Sequence, residues 1–515
     1  MRTLAFILWA GLADAQDYVG SKACEGCHKQ IHEHWVRSSM GRSMSPAAEH
    51  LSKVNSEVTV RSEKLKREFT VFAADGQLKQ RESGEGFRNE HALAWAIGSG
   101  VNGLSFIVQR GNHLFQAPVS FYSRVGQWNL SPGYEFADYG FNRTIAAGCI
   151  NCHSGRPQPV ARSNGEYQNP PFAELSIGCE NCHGPGRKHI ALRGAKTAIV
   201  NPAKLPRERA DEVCMNCHQG GDTRILQPGK TESDYRPGMV LNDVVAIFKL
   251  PRTNDADLLE HHESMRMSKC YEKSGTMSCL TCHSPHAAKI DYNAKCLSCH
   301  SKHPDSGGDC VACHMPKREL KVIAHSALSN HRIVRRPNQP LPAPSDSGLD
   351  LVHINRSSNV ELPLLTRMQA YGQMADRQPA YYERFQLLLD EAATKEGQHP
   401  LVLASLGRRA LRANRWNEAI LHLQAARGRG SVSSTTFEDL AEALGRAGRL
   451  EESIEVLRQG IQAAPYTPML YKSLALRFIQ LKRFEEAKQM LVKYVELFPE
   501  DDFVRKLLAQ VSGPR

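Results

Sequence analysis

Beyond its N-terminal residues the chain lacks any apolar run near the about 18 residues that a membrane-crossing helix needs. A mature protein without a transmembrane segment is therefore expected. No cysteine closely follows the N-terminal apolar stretch, which argues against a lipid anchor there, and none occurs after Cys313. What is present at the start is MRTLAFILWAGLADAQ: a positive Arg2, an apolar run over 4–12 and Ala13-Asp14-Ala15 as a cleavage site. Residues 1–15 read as a signal peptide cleaved near Ala15, so the protein is expected in the periplasm or otherwise exported.

The cysteines carry the main signal. Cys-x-x-Cys-His occurs seven times, and these motifs take fourteen of the fifteen cysteines. They are Cys24/Cys27/His28, Cys149/Cys152/His153, Cys179/Cys182/His183, Cys214/Cys217/His218, Cys279/Cys282/His283, Cys296/Cys299/His300 and Cys310/Cys313/His314. The pattern is that of covalent haem c attachment. Two thiols bond the porphyrin edge, and the next side chain swings beneath the iron as proximal ligand. Paired cysteines also build zinc sites, but those do not require a histidine after every pair. Seven covalent haems c are thus the expected cofactors. No Cys-x-x-Cys-Lys is present, which removes one kind of catalytic haem.

The formal charge of +11 loses its nucleic-acid connotation in that light. Each haem brings about −1 to −2, so the holoprotein lies between roughly +4 and −3, and much of the basic excess is expected to pair with propionates.

Histidines outside the motifs are candidates for the distal iron position. His189 stands six residues after His183, a reach of about 20 Å at most, tight for rounding one macrocycle. His286, three residues after His283, reaches only about 10 Å and cannot serve the same iron. Such residues are expected to bind a neighbouring haem and stitch the array together. His261 and His262 precede the fifth motif, and His325 and His331 follow the seventh. His91 and His113 lie in a region without motifs, where a structural role competes with ligation. For the first haem, Met40 and Met44 are thioether candidates. Cys270, the unpaired cysteine, reads as a buried thiol or as a group near an iron or a substrate sulfur.

Three segments follow the signal peptide. Residues 16–336 form a heptahaem cytochrome c domain, and its 55–140 part reads as a small antiparallel β module. There SEVTVRSEKLKREFTVF alternates, and Asp75-Gly76 and Arg110-Gly111-Asn112 are hairpin turns. Elsewhere in this domain short segments between motifs are too small for a conventional core, so haem faces are expected to fill it. Residues 337–378 read as a Pro-rich linker and connecting segment. Residues 379–515 carry a 34-residue period: Leu403, Phe437 and Tyr471; Gly407, Ala441 and Ala475; Ala419, Ser453 and Ala487. That is the tetratricopeptide pattern, with repeats at 400–433, 434–467 and 468–501, a capping helix after them, and an out-of-register helix at 379–393. The expected fold is mainly α with many loops, a multihaem domain followed by an α-solenoid.

Residues 18–336 resemble the c-554/c-552 type multihaem cytochromes, in the variant joined to tetratricopeptide repeats. The matching text is GSKACEGCHKQIHEHW, IGSG, LSPGYE, GCENCHGPGRKH, EVCMNCH, RPG at 236–238, SKCYEKSG, CLTCHSPH and CVACHMPKR with its trailing H-x5-H. The resemblance implies periplasmic electron transfer, mostly bis-histidine haems, and distal ligands at His189, His262, His286, His325 and His331. Relatives often carry histidine at the position of Met40. The function expected is an electron carrier with redox partner proteins in the periplasm and a repeat domain for protein docking. The alternative is an oxidoreductase acting on a hydroxylamine, nitrite or tetrathionate class compound at one open-site haem.

Overall fold

The computed structural model describes residues 17–251, 260–287, 289–301, 309–319, 327–336, 338–340, 348–355 and 361–512. The signal segment, His325 and most of the Pro-rich stretch lie outside them.

Alternating apolar residues build the first sheet: β2 (Val58–Ser62), β3 (Arg67–Ala74), β4 (Gln77–Gly84) and β5 (Phe87–Ala92) form an antiparallel meander in that order. The turn from β3 to β4 is Asp75-Gly76, both at positive φ (53° and 71°), as a two-residue type I′ hairpin requires. A second sheet runs β1 (Met44–Pro46), β6 (Trp95–Ile97), β7 (Gly103–Arg110), β9 (Val119–Tyr122) and β10 (Gln127–Leu130), with β8 (His113–Gln116) also on β7. The inward faces meet around Phe69, Val71, Leu78, Phe106, Phe115, Tyr134 and Phe141. Buried Gln80 bridges the sheets, donating to the Val119 carbonyl at 2.7 Å and accepting from its N–H at 3.0 Å.

After these come β11 (Arg156–Pro159) paired with β12 (Tyr167–Glu174), and β15 (Lys317–Glu319) paired with β16 (Ala327–Ser329). Another sheet joins β13 (Thr223–Leu226), β14 (Val245–Lys249) and β17 (Val352–His353). Most of the cysteine motifs sit on short helical segments, such as Cys179–His183, Cys279–Cys282 and Cys310–His314. The expectation of a mainly α chain is therefore corrected for this half, which is β-rich. The physical reason is that helices of one or two turns cannot support themselves, whereas the paired strands satisfy their backbones across the chain.

The C-terminal arm is helical: α1 (Leu364–Ala375), α2 (Tyr382–Glu396), α3 (Pro400–Arg412), α4 (Trp416–Gly428), α5 (Ser434–Arg446), α6 (Leu450–Ala463), α7 (Pro468–Gln480), α8 (Phe484–Leu497) and α9 (Asp502–Ser512). The pairs α3/α4, α5/α6 and α7/α8 repeat at the 34-residue period and form a tetratricopeptide-like solenoid. Small residues sit where the helices cross. A Cβ on Gly407 would lie 2.5 Å from Leu423 Cγ, and one on Gly460 3.0 Å from Phe437. Ser453, in a position that otherwise takes alanine, is fully buried and donates to the Ala441 carbonyl at 2.7 Å. The arm starts earlier than expected. The connecting segment contains α1, which pairs with α2 through Leu365, Met368 and Leu389, so the out-of-register helix is the second half of a pair.

Both ends of the arm are attached. Ala370 of α1 packs against Ile225, Ala246 and Phe248, and Thr366 donates to Gln227 at 2.7 Å. At the other end Tyr466 packs against the β module's core, and Arg67 donates to the Glu500 carbonyl at 2.8 Å.

Candidate haem-binding site

Each motif uses one helical turn. The N–H of His28 bonds the Cys24 carbonyl at 2.9 Å, that of His283 bonds Cys279 at 2.9 Å, and that of His300 bonds Cys296 at 3.0 Å. Positions i, i+3 and i+4 share one helix face, so the two sulfurs and the imidazole gather on one side, as haem c attachment needs. Neighbouring motifs also abut. Cys24 lies beside Cys179, Cys152 beside Cys217, and Cys214 beside Cys279. None of the fifteen cysteines is in a disulfide.

Cys27, Cys149, Cys299 and Cys313 are exposed, while their motif partners Cys24, Cys152, Cys296 and Cys310 are half-buried. The reason is local. The N–H of Cys27 bonds the Cys24 carbonyl at 3.3 Å, and that of Cys299 bonds the Cys296 carbonyl at 3.2 Å. Each loop is thus a single tight turn, and a turn at the chain's surface can cover only one of its two thiols. A porphyrin attached there would keep one edge at the surface and the other against the chain.

The motif histidines face other histidines across gaps of similar width. His28 and His189 are near-parallel with ring centroids 6.3 Å apart. His183 and His286 are 5.8 Å apart, and His283 and His331 6.1 Å. His218 faces His261 at 6.0 Å with the planes crossed. These gaps are too wide for ring stacking. A metal–imidazole bond is about 2.0–2.1 Å and a ring centroid lies about 1.1 Å behind its nitrogen, so two imidazoles on opposite sides of one ion sit about 6.2–6.4 Å apart. Rotation about that axis is free, so parallel and crossed planes both suit it.

Hydrogen bonds select the ring atom left for a metal. Nδ1 of His183 lies 2.7 Å from the Val200 carbonyl, Nδ1 of His189 3.0 Å from that of Ala195, and Nδ1 of His331 2.9 Å from that of Ser329. His314 makes the same bond to Val334 at 2.7 Å. A carbonyl can only accept, so Nδ1 carries the proton and Nε2 the lone pair. Burial and the imidazoles of His331, His218 and His283 push His261 down to about 4, which keeps it in the neutral form that ligates.

The pairing follows a rule that the linear sequence does not display. His189 trails the third motif and faces the first. His286 trails the fifth and faces the third. His331 trails the seventh and faces the fifth. His34, on the helix that follows the first motif, ties this arrangement down with Nδ1 3.0 Å from the His286 carbonyl.

Several candidates find other surroundings. Of the adjacent pair, His261 rather than His262 faces His218; His262 is half-buried and feels the charges of Arg266 and Arg207. Successive side chains on a helix diverge by about 100°, so only one can face a given ring, and nothing in HHE marks which. His91 packs on Phe141 with centroids 4.6 Å apart. His113 is buried between Phe115 and Tyr466. Met44 is 2% exposed within a cluster with Ile107, Leu114 and Ile145. Met40 lies in the turn after the first motif's helix, and the ring facing His28 is His189. His325 lies outside the described residues.

The last three motifs line one cavity of about 1540 Å³, larger than the about 300–1,000 Å³ of a small-molecule site. Cys279, Cys282, His283, Cys296, His300, Cys310 and His314 all reach it, and so does Cys270. Exposed Cys299 and Cys313 stand outside its lining. Arg332, Arg335 and Arg336 stand on its wall, where carboxylates of a bound group would find charge-assisted partners. The donor set, the gap width and this volume all fit haem c. Among the described residues no three His, Cys, Asp or Glu side chains gather as ligands of a bare ion, and no helix is long and apolar enough to cross a membrane.

No protein-family model matches the chain, and no curated protein matches it. Among solved structures it is similar to MamA 41-end from Desulfovibrio magneticus RS-1, with 17% identity over 27% of this chain and 78% of that one, and a TM-score of 0.24. It is similar to TTC0263, a thermophilic TPR protein in Thermus thermophilus (20% identity, 29% of this chain, 81% of that one, TM-score 0.24). The Arabidopsis OM64 TPR domain gives 15% identity, 22% and 93% coverage and a TM-score of 0.21. The repeat architecture rests on the chain's own helix pairs.

Proposed function

We propose that the protein is an exported electron carrier that holds seven covalent haems c and uses its helical arm to meet a protein partner. The observation that carries this reading is the set of four histidine pairs, each joining a motif histidine to one from a distant segment at 5.8–6.3 Å. Bound haem c supplies one-electron exchange. The chain's own residues do the rest. The fourteen motif cysteines fix each porphyrin edge. The motif histidines hold one face of each iron. His189, His261, His286 and His331 would hold four of the irons from the other side, with Nδ1 of His189 and His331 engaged by backbone carbonyls so that Nε2 is left to ligate. Because each of these four histidines lies beside another motif, ligating one iron would also position the next attachment loop, and close spacing of five of the seven sites follows. The surface edge left at Cys27 or Cys299 is where an electron would enter or leave.

A docking role for the arm is supported by its solenoid form, since stacked helix pairs present an extended surface. Visible and electron paramagnetic resonance spectra of the purified holoprotein test the carrier. Low-spin signals throughout and no carbon monoxide binding are expected. A high-spin iron that binds nitrite or hydroxylamine would move the assignment to the oxidoreductase.

A further inference from the structure

Beside the packing of Tyr466, the junction between the arm's last repeat and the β module is built largely from ionisable groups. Arg67 of β3 is 9% exposed. Its Nε donates to Asp138 at 2.9 Å, and its Nη2 donates to the Glu500 backbone carbonyl at 2.8 Å. The Glu500 side chain, at the end of the α8–α9 connection, enters the module. Its Oε1 accepts from Asn142 at 2.7 Å. Its carboxyl carbon stands 2.7 Å from where a Cβ on Gly140 would be, so that glycine, at φ 51°, makes the cradle. Oε2 is out of solvent and has no hydrogen-bond partner among the described residues.

We infer that this junction is a proton-controlled latch, in which Glu500 holds the arm against the β module when protonated and releases it when ionised. The inference goes beyond electron carriage and does not depend on it.

The surroundings set the sign. From the loop, Asp138 opposes a charge on Glu500, while Arg110 of β7 and the Asn142 amide favour one. Tyr134 and, from α8, Tyr494 feel the same carboxyl. Glu82 of β4, fully buried beside Asp138 and with Oε1 3.5 Å from Arg67 Nε, is pushed up to about 10 by burial first and then by Asp138 and Glu500, with Arg67 opposing. On α9, Arg505 pairs with Asp502. The net result for Glu500 is a rise to about 7, with burial the main cause. A carboxyl raised in the closed state stabilises that state fully below its free value and loses the contribution as pH climbs through the raised value. Closure is therefore firmest in acid, weakens between the ordinary carboxylate range and about pH 7, and levels off above it.

The test is hydrogen exchange of the complete holoprotein, read on peptides covering 498–512 between pH 5.5 and 8.5 and corrected for intrinsic rates. The opening equilibrium is expected to rise about tenfold or more across that range, because one ionising group can change it by up to about a factor of ten for each step of pH. Glu500→Gln, which keeps the acceptor for Asn142 but cannot ionise, is expected to hold the arm closed at every pH. Glu496→Gln, at an exposed acid near the end of α8, should behave as the natural chain. Protection that is flat with pH in the natural chain, or a pH response that survives in Glu500→Gln, overturns the latch.

Discussion

His286 shows how much one side chain is asked to do. It trails the fifth motif yet faces His183 of the third at 5.8 Å. Replacing it with alanine is expected to convert the haem at Cys179/Cys182 to high spin and to leave the haem at Cys279/Cys282 low-spin, as read by paramagnetic NMR with the haem signals assigned. A change confined to the fifth haem would contradict the pairing. Met40→Leu should leave every haem low-spin, because His189 occupies the position opposite His28. The Cys-x-x-Cys-His turns were legible in the sequence because they are a local pattern that one helical turn completes. Which sulfur of each pair is covered was not legible, since that depends on what packs over the turn: Cys24 meets Cys179, whereas Cys27 faces outward. The facing histidines were only half legible. Chain reach kept His286 from the position opposite His283, but which ring it faces instead, and why His261 rather than His262 faces His218, depends on tertiary packing that no local spacing encodes.

Helices and strands follow their periodicities. The Asp75-Gly76 hairpin and the 34-residue repeat were both readable, since turn chemistry and helix crossing are set by neighbours in sequence. The early start of the arm was not. Its first helix hides in a segment whose Pro-rich approach reads as linker, and it is held by packing on β13 and β14 and on its partner helix. Gly407 allows a sharper test. Glycine to alanine inside a helix ordinarily gains about 1 kcal/mol, but here the new methyl would meet Leu423 at 2.5 Å, and overpacking costs about 1–3 kcal/mol. The clash should win, so Gly407→Ala is expected to lower the arm's urea midpoint. A raised midpoint would mean that helix crossing at this position is looser than described.

At the scale of the whole molecule the arm is a bracket, fixed to the β13–β14 sheet at one end and to the β module at the other. Removing residues 379–515 would strip Tyr466 from the module's core and Arg67's partners from its edge, so the remainder is expected to melt at a lower temperature even with its haems attached. An unchanged melting temperature would make the arm an appendage. Electron carriage by this molecule requires that cofactors occupy the spaces between facing imidazoles. The most direct check is the intact mass of mature protein made in a host that assembles haem c, taken with its haemochrome absorbance. Seven haems on every chain are expected. A colourless product with the mass of the bare polypeptide would contradict the haem assignment.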